Sequence, residues 1–309
     1  MENPLLSVVI LNWNTCDLLE HCLASVLAAT REISSEILVV DNGSSDNSVD
    51  MLQNRFRCVH LIALSANVGF ARGNNIGLRE SKGQYRVLLN PDTLVAEDAL
   101  RIMVEHLETH PDVGAVGPHL VYPDGSTQLE CARAVPTILD VFYRFMSLGK
   151  LVPRVRLPGS SYYRSTYDRT RSVGVISGSC MMVRRDVIEQ VGPLDESFFL
   201  GGEDIEWCVR IRNRGWRIHY ISTANVVHYQ EQSKNKAPIE SKLYAITSDE
   251  ILIRLLYGNG QASLYRAMVL ILLVPKLLVK AFWQSCSSRS SAEETFRAVL
   301  RLVSHYVGC

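Results

Sequence analysis

The chain has 309 residues, of which 47% are hydrophobic and 21% charged, enough to bury a core in one large domain or two small ones. Lys+Arg and Asp+Glu number 32 each, so no overall field recruits nucleic acid. The eight cysteines form no CxxC pair and several lie in apolar runs, which favours buried thiols in a reducing, cytoplasmic compartment over a disulfide framework or a zinc site.

Taken in chain order, Ser7 to Leu11 is a β-branched and aliphatic run, as expected of a parallel strand covered on both faces. It ends at Asn12-Trp13-Asn14 with no basic leader before it, so no secretory signal is expected. Leu19, Cys22, Leu23, Val26 and Leu27 repeat at helical spacing, with Thr15 as the expected N-cap. Further strands are predicted at Ile37 to Val40, Val59 to Leu64 and Arg86 to Leu89, and a helix from Glu97 to His110. Successive βα units imply a parallel sheet flanked by helices, whose ligands bind beyond the carboxyl ends of the strands. Regularity lapses from Arg144 to Arg171, where Arg154, Arg156, Arg164, Arg169 and Arg171 face one counter-charge, Asp168. A long loop or insertion is predicted there, at about 140–172. Strands Val173 to Ser177 and Met181 to Arg184 follow. Next come helices near Asp186 to Val191 and Glu203 to Asn213, then strands Arg217 to Ile221 and Asn225 to Val227. From Ser241 onward the chain reads as helical.

The sequence thus divides into a domain over 1–230 and a helical extension over 231–309. Within the extension, Ala267 to Pro275 is apolar but shorter than the roughly 20 residues that cross a bilayer. It reads equally as a buried terminal helix or as one lying in the membrane interface, its ends marked by Arg266, Lys276, Lys280 and Phe282-Trp283.

Three predicted strand ends are polar. No GxGxxG follows the first strand and no GxxxxGK[ST] loop exists, so a nucleotide would be held in another way. Asp41 closes a buried strand and opens Asn42-Gly43-Ser44-Ser45-Asp46. Its carboxylate could accept from a base or ribose, or could only cap an Asx-turn. Asn90-Pro91-Asp92 ends another strand, where Asp92 could hold a divalent cation that bridges a diphosphate; turns of this composition are common in any case. Phe198-Phe199-Leu200-Gly201-Gly202-Glu203-Asp204-Ile205-Glu206-Trp207 places acids at a helix start. Dipole complementarity accounts for acids there, but an aromatic wall beside them would raise a carboxylate pKa toward that of a base. A lone His228 says little by itself, and His106, His110 and His305 sit in helical patterns without a motif.

Together these segments resemble glycosyltransferase family 2, the inverting enzymes of the GT-A fold, over roughly Leu5 to Tyr229. The resemblance rests on Val8–Asn14, Val39–Asp46, Asn67–Asn75, Leu89–Asp92, the Gly178-Ser179 strand start, and Asp195–Phe199 leading into Glu203-Asp204. Within the family it is most similar to bacterial rhamnosyltransferases of surface polysaccharide synthesis. The fold it implies is α/β, a Rossmann-like, mostly parallel sheet flanked by helices, with a helical C-terminal extension.

The resemblance also implies roles. Leu11, Asn12 and Asp41 would hold the nucleoside, while Asn67, Gly69, Arg72, Asn74 and Asn90 would line the nucleotide-sugar pocket. Asp92 and His228 would bind Mg²⁺ or Mn²⁺. Asp204 would be the general base beside Glu203, with Gly178, Ser179 and Trp207 at the acceptor. The partners implied are a nucleoside-diphosphate sugar and a glycan or polyprenyl-diphosphate-linked acceptor, met at the cytoplasmic face of a membrane. In two places the chain departs from the family pattern. Asn90 stands where the first acid of a DxD is often found, and no Gly follows His228-Tyr229-Gln230. A nucleotidyltransferase of similar layout would usually carry a Gly-rich basic loop at Asn12 to Cys16, and an inactive nucleotide-sugar-binding protein would not need Asp204.

Overall fold

The computed structural model describes residues 3–145, 160–161, 166–230, 238–285 and 289–307. By internal contacts the chain forms two compact units. One is Met1–Val135, Ser165–Phe199 and Glu203–Ser233; the other is Pro136–Arg164, Leu200–Gly202 and Lys234–Cys309.

The first unit is built on a nine-stranded sheet. Strands β1 (Leu6–Asn12), β2 (Ser35–Asp41), β3 (His60–Ala63) and β4 (Tyr85–Leu89) run parallel, with β1 between β2 and β4. β1 is buried along its whole length, which explains its unbroken apolar run. Beyond β4 the sheet becomes mixed. β10 (Cys180–Arg184) pairs antiparallel to both β4 and β6 (Val113–Val121). β6 runs parallel to β11 (Arg217–His228), which carries the short antiparallel strands β5 (Thr93–Val95) and β8 (Arg171–Ser172). The two strands expected after Arg217 are this one strand, with a register shift between Ile221 and Asn225. A separate two-stranded ladder joins β7 (Ala132–Arg133) to β9 (Val175–Ile176).

Helices α1 (Cys16–Ala29), α3 (Phe70–Glu80), α4 (Ala99–Thr109) and α7 (Glu203–Asn213) pack against these strands, with α2 (Ser48–Arg55) on α1 and α6 (Arg185–Val191) on β10. One polar edge results. The carboxyl ends of β1, β2, β4 and β11 lie beside the amino end of antiparallel β10, so residues 12, 41, 90, 178–179 and 228 meet there. From β2 to β10 the edge spans three inter-strand steps, roughly 14 Å.

The second unit contains α5 (Ile138–Phe145), α8 (Pro238–Tyr257), α9 (Asn259–Met268), α10 (Val274–Ser285) and α11 (Arg289–Val307). Its core holds Ile253, Tyr265, Val269, Leu302 and Tyr306, with Ile138 packed against it. That packing places Pro136–Arg164 in this unit, although the sequence reads it as an insertion in the first domain. Of the basic residues predicted in that insertion, Arg154, Arg156 and Arg164 lie outside the described residues.

The apolar segment is also longer than expected. α9 continues through a π-turn, Val269–Leu273, into α10, giving one helix, Asn259–Trp283, of 25 residues. An 18-residue stretch of it has a mean hydropathy of 1.8, so the helix is long and apolar enough to cross a membrane by length and composition, and 22% of that stretch is buried. Pro275 does not end it. Proline removes an i→i−4 bond and crowds the preceding turn, and the wider π-turn just before it absorbs that defect.

Candidate active site

The ends of β1 and β2 form one half of the edge. Asn12 and Asp41 are cross-strand partners, and Asn12 Nδ2 donates to Asp41 Oδ2 at 2.8 Å. The hydroxyl of Thr15 donates to Asn12 Oδ1 at 2.7 Å. Thr15 therefore holds the expected N-cap position without a side-chain cap bond to α1; its oxygen is turned toward the strand end. Asp41 Oδ1 accepts from the Ser44 amide at 2.9 Å, so the Asx-turn is formed. Each carboxylate oxygen keeps acceptor capacity beyond these bonds. Asn14, at φ 56, accepts at Oδ1 from the Ser45 amide at 2.7 Å, clasping the two loops together.

Asn67 sits in the next loop. Its Oδ1 accepts from Asn42 Nδ2 and from the Gly69 amide, both at 2.9 Å, and Asn42 Oδ1 accepts from the Val68 amide at 2.9 Å. Asn42 is the organising residue here, a role that no sequence motif assigns to it. Gly69 has φ +91, and a Cβ there would lie 2.9 Å from Phe199 Cδ2. Arg72 is exposed, with Glu196 Oε2 3.9 Å away.

Three of the expected site residues have side chains engaged within the protein. Leu11 is buried with its side chain against Gly73 of α3, so the side chain serves helix-on-sheet packing and only its main chain could face a nucleoside. Asn74 is buried and Nδ2 donates to the Phe70 carbonyl at 3.0 Å, so its amide serves the first turn of α3. Trp207 is wholly buried and its Nε1 donates to the Gly192 carbonyl at 2.9 Å; no acceptor can stack on that ring.

The ends of β4 and β11 bring Asn90, Asp92 and His228 together. His228 Nε2 lies 3.3 Å from Asp92 Oδ1 and 3.5 Å from Asn90 Nδ2, and both Asp92 and His228 are buried. The Tyr229 amide donates to the Asp92 carbonyl at 2.9 Å, which ties the two loops. Gln128, absent from the sequence-based site, bonds His228 at two points: Nε2 donates to the His228 carbonyl at 2.6 Å, and Oε1 meets Nδ1 at 2.9 Å. Among the described residues no group of three or more His, Cys, Asp or Glu could hold a metal ion. Asp92 and His228 could contribute at most two protein ligands, so a cation here would need its remaining ligands from substrate phosphates and water, as Mg²⁺ usually takes them. The N···O separation fits, since ligands at about 2.1 Å from one ion and at right angles lie about 3 Å apart.

Asp204 enters from the start of α7. Its Oδ2 accepts from the Gly178 amide at 3.0 Å and its Oδ1 from the Ile205 amide at 2.8 Å. The adjoining Ser179 carbonyl accepts from the Asn90 amide at 2.9 Å. Residues 178–179 thus link the Asp204 carboxylate to the β4 end in two backbone steps. Asp204 is half-buried, and it is Glu203 that is buried. Of the expected aromatic wall, Phe198 and Trp207 are core, and Phe199 is half-buried beside Gly69.

One cysteine backs this edge: the Cys22 thiol donates to the Asn90 carbonyl at 3.6 Å. Four of the six described cysteines are buried, and burial pushes the Cys22 and Cys208 thiols up to about 12.

Comparison with known proteins follows the same outline. The family model for glycosyl transferase family 2 matches residues 7–192, more than half of the chain. An N-acetylglucosaminyl-diphospho-decaprenol L-rhamnosyltransferase of Mycobacterium tuberculosis is 31% identical over 246 residues, covering 75% of this chain and 78% of that protein. Rhamnosyltransferase WbbL of Escherichia coli K12 is 29% identical over 170 residues, 52% of this chain and 61% of that protein. Among solved structures, GalNAc-T7 with UDP, GalNAc and Mn²⁺ superposes with a TM-score of 0.58 at 18% identity, over 82% of this chain; the match spans about half (48%) of that larger protein. A mannosyltransferase of Pyrobaculum calidifontis, in complex with GDP-Man and Mn²⁺, has a TM-score of 0.54 at 17% identity, over 99% of this chain and 88% of that one. With the family model spanning most of the sheet and its polar edge, the chain belongs to glycosyl transferase family 2 and is a glycosyltransferase of the GT-A fold.

Proposed function

We propose that this chain is an inverting, divalent-cation-dependent transferase that moves rhamnose from a nucleoside diphosphate to a hydroxyl of a polyprenyl-diphosphate-linked glycan. The observation that carries the reading is the placement of Asp204, fixed by the Gly178 amide, two backbone steps from the edge where Asp92 faces His228.

Asn12 and Asp41 at the β1–β2 end would receive the nucleoside, and Asp92 and His228 would hold Mg²⁺ or Mn²⁺ at the diphosphate. A bound cation there supplies charge neutralisation of the leaving diphosphate. The Asp204 carboxylate takes the proton from the acceptor hydroxyl. The freed oxygen forms its bond to the anomeric carbon as the bond from that carbon to the diphosphate oxygen breaks, and the electron pair leaves with the nucleoside diphosphate. One displacement inverts the carbon and needs no enzyme nucleophile. The sugar is assigned from the relatives named rhamnosyltransferases, and the lipid diphosphate from the acceptor named for the mycobacterial one.

The second unit supports a lipid-linked acceptor held at the cytoplasmic leaflet. Phe282 and Trp283 are each 70% exposed and Ile271 69%. Residues 251–285 contain Arg254, Arg266, Lys276 and Lys280 and no acid. Arg266 is paired with Glu250 at 2.7 Å, which leaves Lys276 and Lys280 as the basic residues beside the exposed apolar face. Such a face suits an anionic interface, at about 1 kcal/mol per basic residue near the surface. Co-sedimentation with anionic liposomes at low salt tests this part, and failure to bind would remove it.

The direct test of the reaction is turnover of UDP-, dTDP- and GDP-sugars with Mn²⁺, with and without a diphospholipid acceptor. The expected result is cation-dependent transfer from a rhamnosyl donor. No turnover of any nucleotide sugar, or full activity after EDTA treatment, would reject it.

A further inference from the structure

We infer that Gln128 sets the tautomer of His228, holding the proton on Nδ1 and turning the Nε2 lone pair toward Asp92. Gln128 is buried, at 2% exposure, and bonds one histidine twice: at the main-chain carbonyl at 2.6 Å and at ring Nδ1 at 2.9 Å. A carbonyl oxygen only accepts, so the amide nitrogen of Gln128 must face it. The amide oxygen then necessarily faces Nδ1, and an amide oxygen also only accepts. A neutral imidazole satisfies it only by carrying its proton on Nδ1, which leaves the lone pair on Nε2.

That assignment has a consequence across the edge. Nε2 looks at Asp92 Oδ1 from 3.3 Å, so a lone pair and a carboxylate oxygen face one another. Without Gln128 the proton would shift to Nε2 and bond Asp92, satisfying both groups and closing the position between them. With Gln128 in place, two acceptors are left for a cation. A histidine ligand whose other nitrogen is fixed by a hydrogen bond is a recurrent device in metal sites. Gln128 thus acts through His228 and touches no reacting atom. The assignment deepens the proposed cation site, but the tautomer is a property of the protein alone.

The test is long-range ¹H–¹⁵N NMR of the histidine-labelled full chain without metal, at a pH where the rings are neutral. The expected wild-type spectrum has His228 Nδ1 protonated and Nε2 pyridine-like. Gln128→Leu should move the proton to Nε2 and weaken Mn²⁺ binding, measured by electron paramagnetic resonance with a nucleoside diphosphate present, by about 10–100-fold. Gln128→Glu, whose carboxylate still accepts from Nδ1, should retain the wild-type tautomer. A wild-type His228 protonated on Nε2 overturns the inference, and that measurement needs no variant to fold. So does a folded Gln128→Leu protein with unchanged His228 shifts. Wild type with Nδ1 protonated but no Mn²⁺ affinity would uphold the hold of Gln128 on His228 and count against the cation site instead.

Discussion

The amide of Gly178 donates to Asp204 Oδ2 at 3.0 Å, and a Cβ on Gly178 would sit 3.2 Å from Asp204 Cβ. The turn that leads into antiparallel β10 therefore positions the proposed base through its own backbone. Gly178→Ala keeps the amide but forces the carboxylate aside by a few tenths of an ångström. Since a 1 Å misplacement can cost about a hundredfold, we expect kcat to fall about tenfold with donor KM unchanged. Steady-state kinetics checks this; an unchanged kcat would mean that this contact does not position the reacting group.

Trp207 is a packing residue, and Trp207→Phe should behave as a core substitution. The Gly192 carbonyl loses its donor and part of the ring volume is left empty, together about 1–3 kcal/mol of stability. Urea unfolding should register the loss while acceptor KM stays at the wild-type value. A raised acceptor KM at full stability would return this ring to the acceptor site.

Gly69 combines a left-handed backbone with close approach to Phe199, whose carbonyl accepts from the Phe70 amide at 2.7 Å. Gly69→Ala should cost about 1–3 kcal/mol in denaturant midpoint and weaken nucleotide binding through the displaced Asn67 loop. Wild-type stability in the variant would show that the loop adapts.

Acid sensitivity should come from a histidine cluster remote from any sequence motif. His106 stacks on His110 with ring centroids 4.1 Å apart, and its Nε2 lies 2.9 Å from His219 Nδ1. Burial first, then the neighbouring His110 and His219, lowers the His106 pKa from 6.5 to about 4; Asp112 opposes this weakly. His219 is lowered as well, by burial and then by Arg217. A folded pKa below the unfolded one means that protons favour the unfolded chain. The associated stability is present above pH 6.5 and is lost as the pH falls toward 4. The Tm of the wild type should therefore drop more steeply over that window than that of His106→Gln; parallel curves would contradict the assignment.

The parts of the fold that were legible in the sequence are those where burial leaves an uninterrupted signal. β1, β2 and β4 are apolar runs ending in Asn12, Asp41 and Asn90, and the polar edge could be read from them directly. β6 was missed because Gly114, Gly117 and Pro118 break its apolar run, and β5 because three residues carry no period. The antiparallel sense of β10 is a matter of topology that no local pattern encodes. Trp207 stands beside Glu203 and Asp204 in sequence, but its spacing from Ile211, one helical turn on, marks the buried face of α7. Gln128 lies outside any motif, and only the fold brings it to His228, 100 residues away. The histidine cluster had a faint signal in the i,i+4 spacing of His106 and His110, but its third member comes from β11.

The central claim is that Asp204 removes the acceptor proton at an edge that binds the donor independently. It is tested most directly by measuring donor affinity and transfer rate side by side for Asp204→Asn. The change is nearly isosteric and Oδ1 can still accept from the Ile205 amide, so the fold and donor binding should persist. Transfer should fall by about 10²–10⁴, the range typical of a general base. Transfer within threefold of wild type, with donor binding intact, would contradict the account.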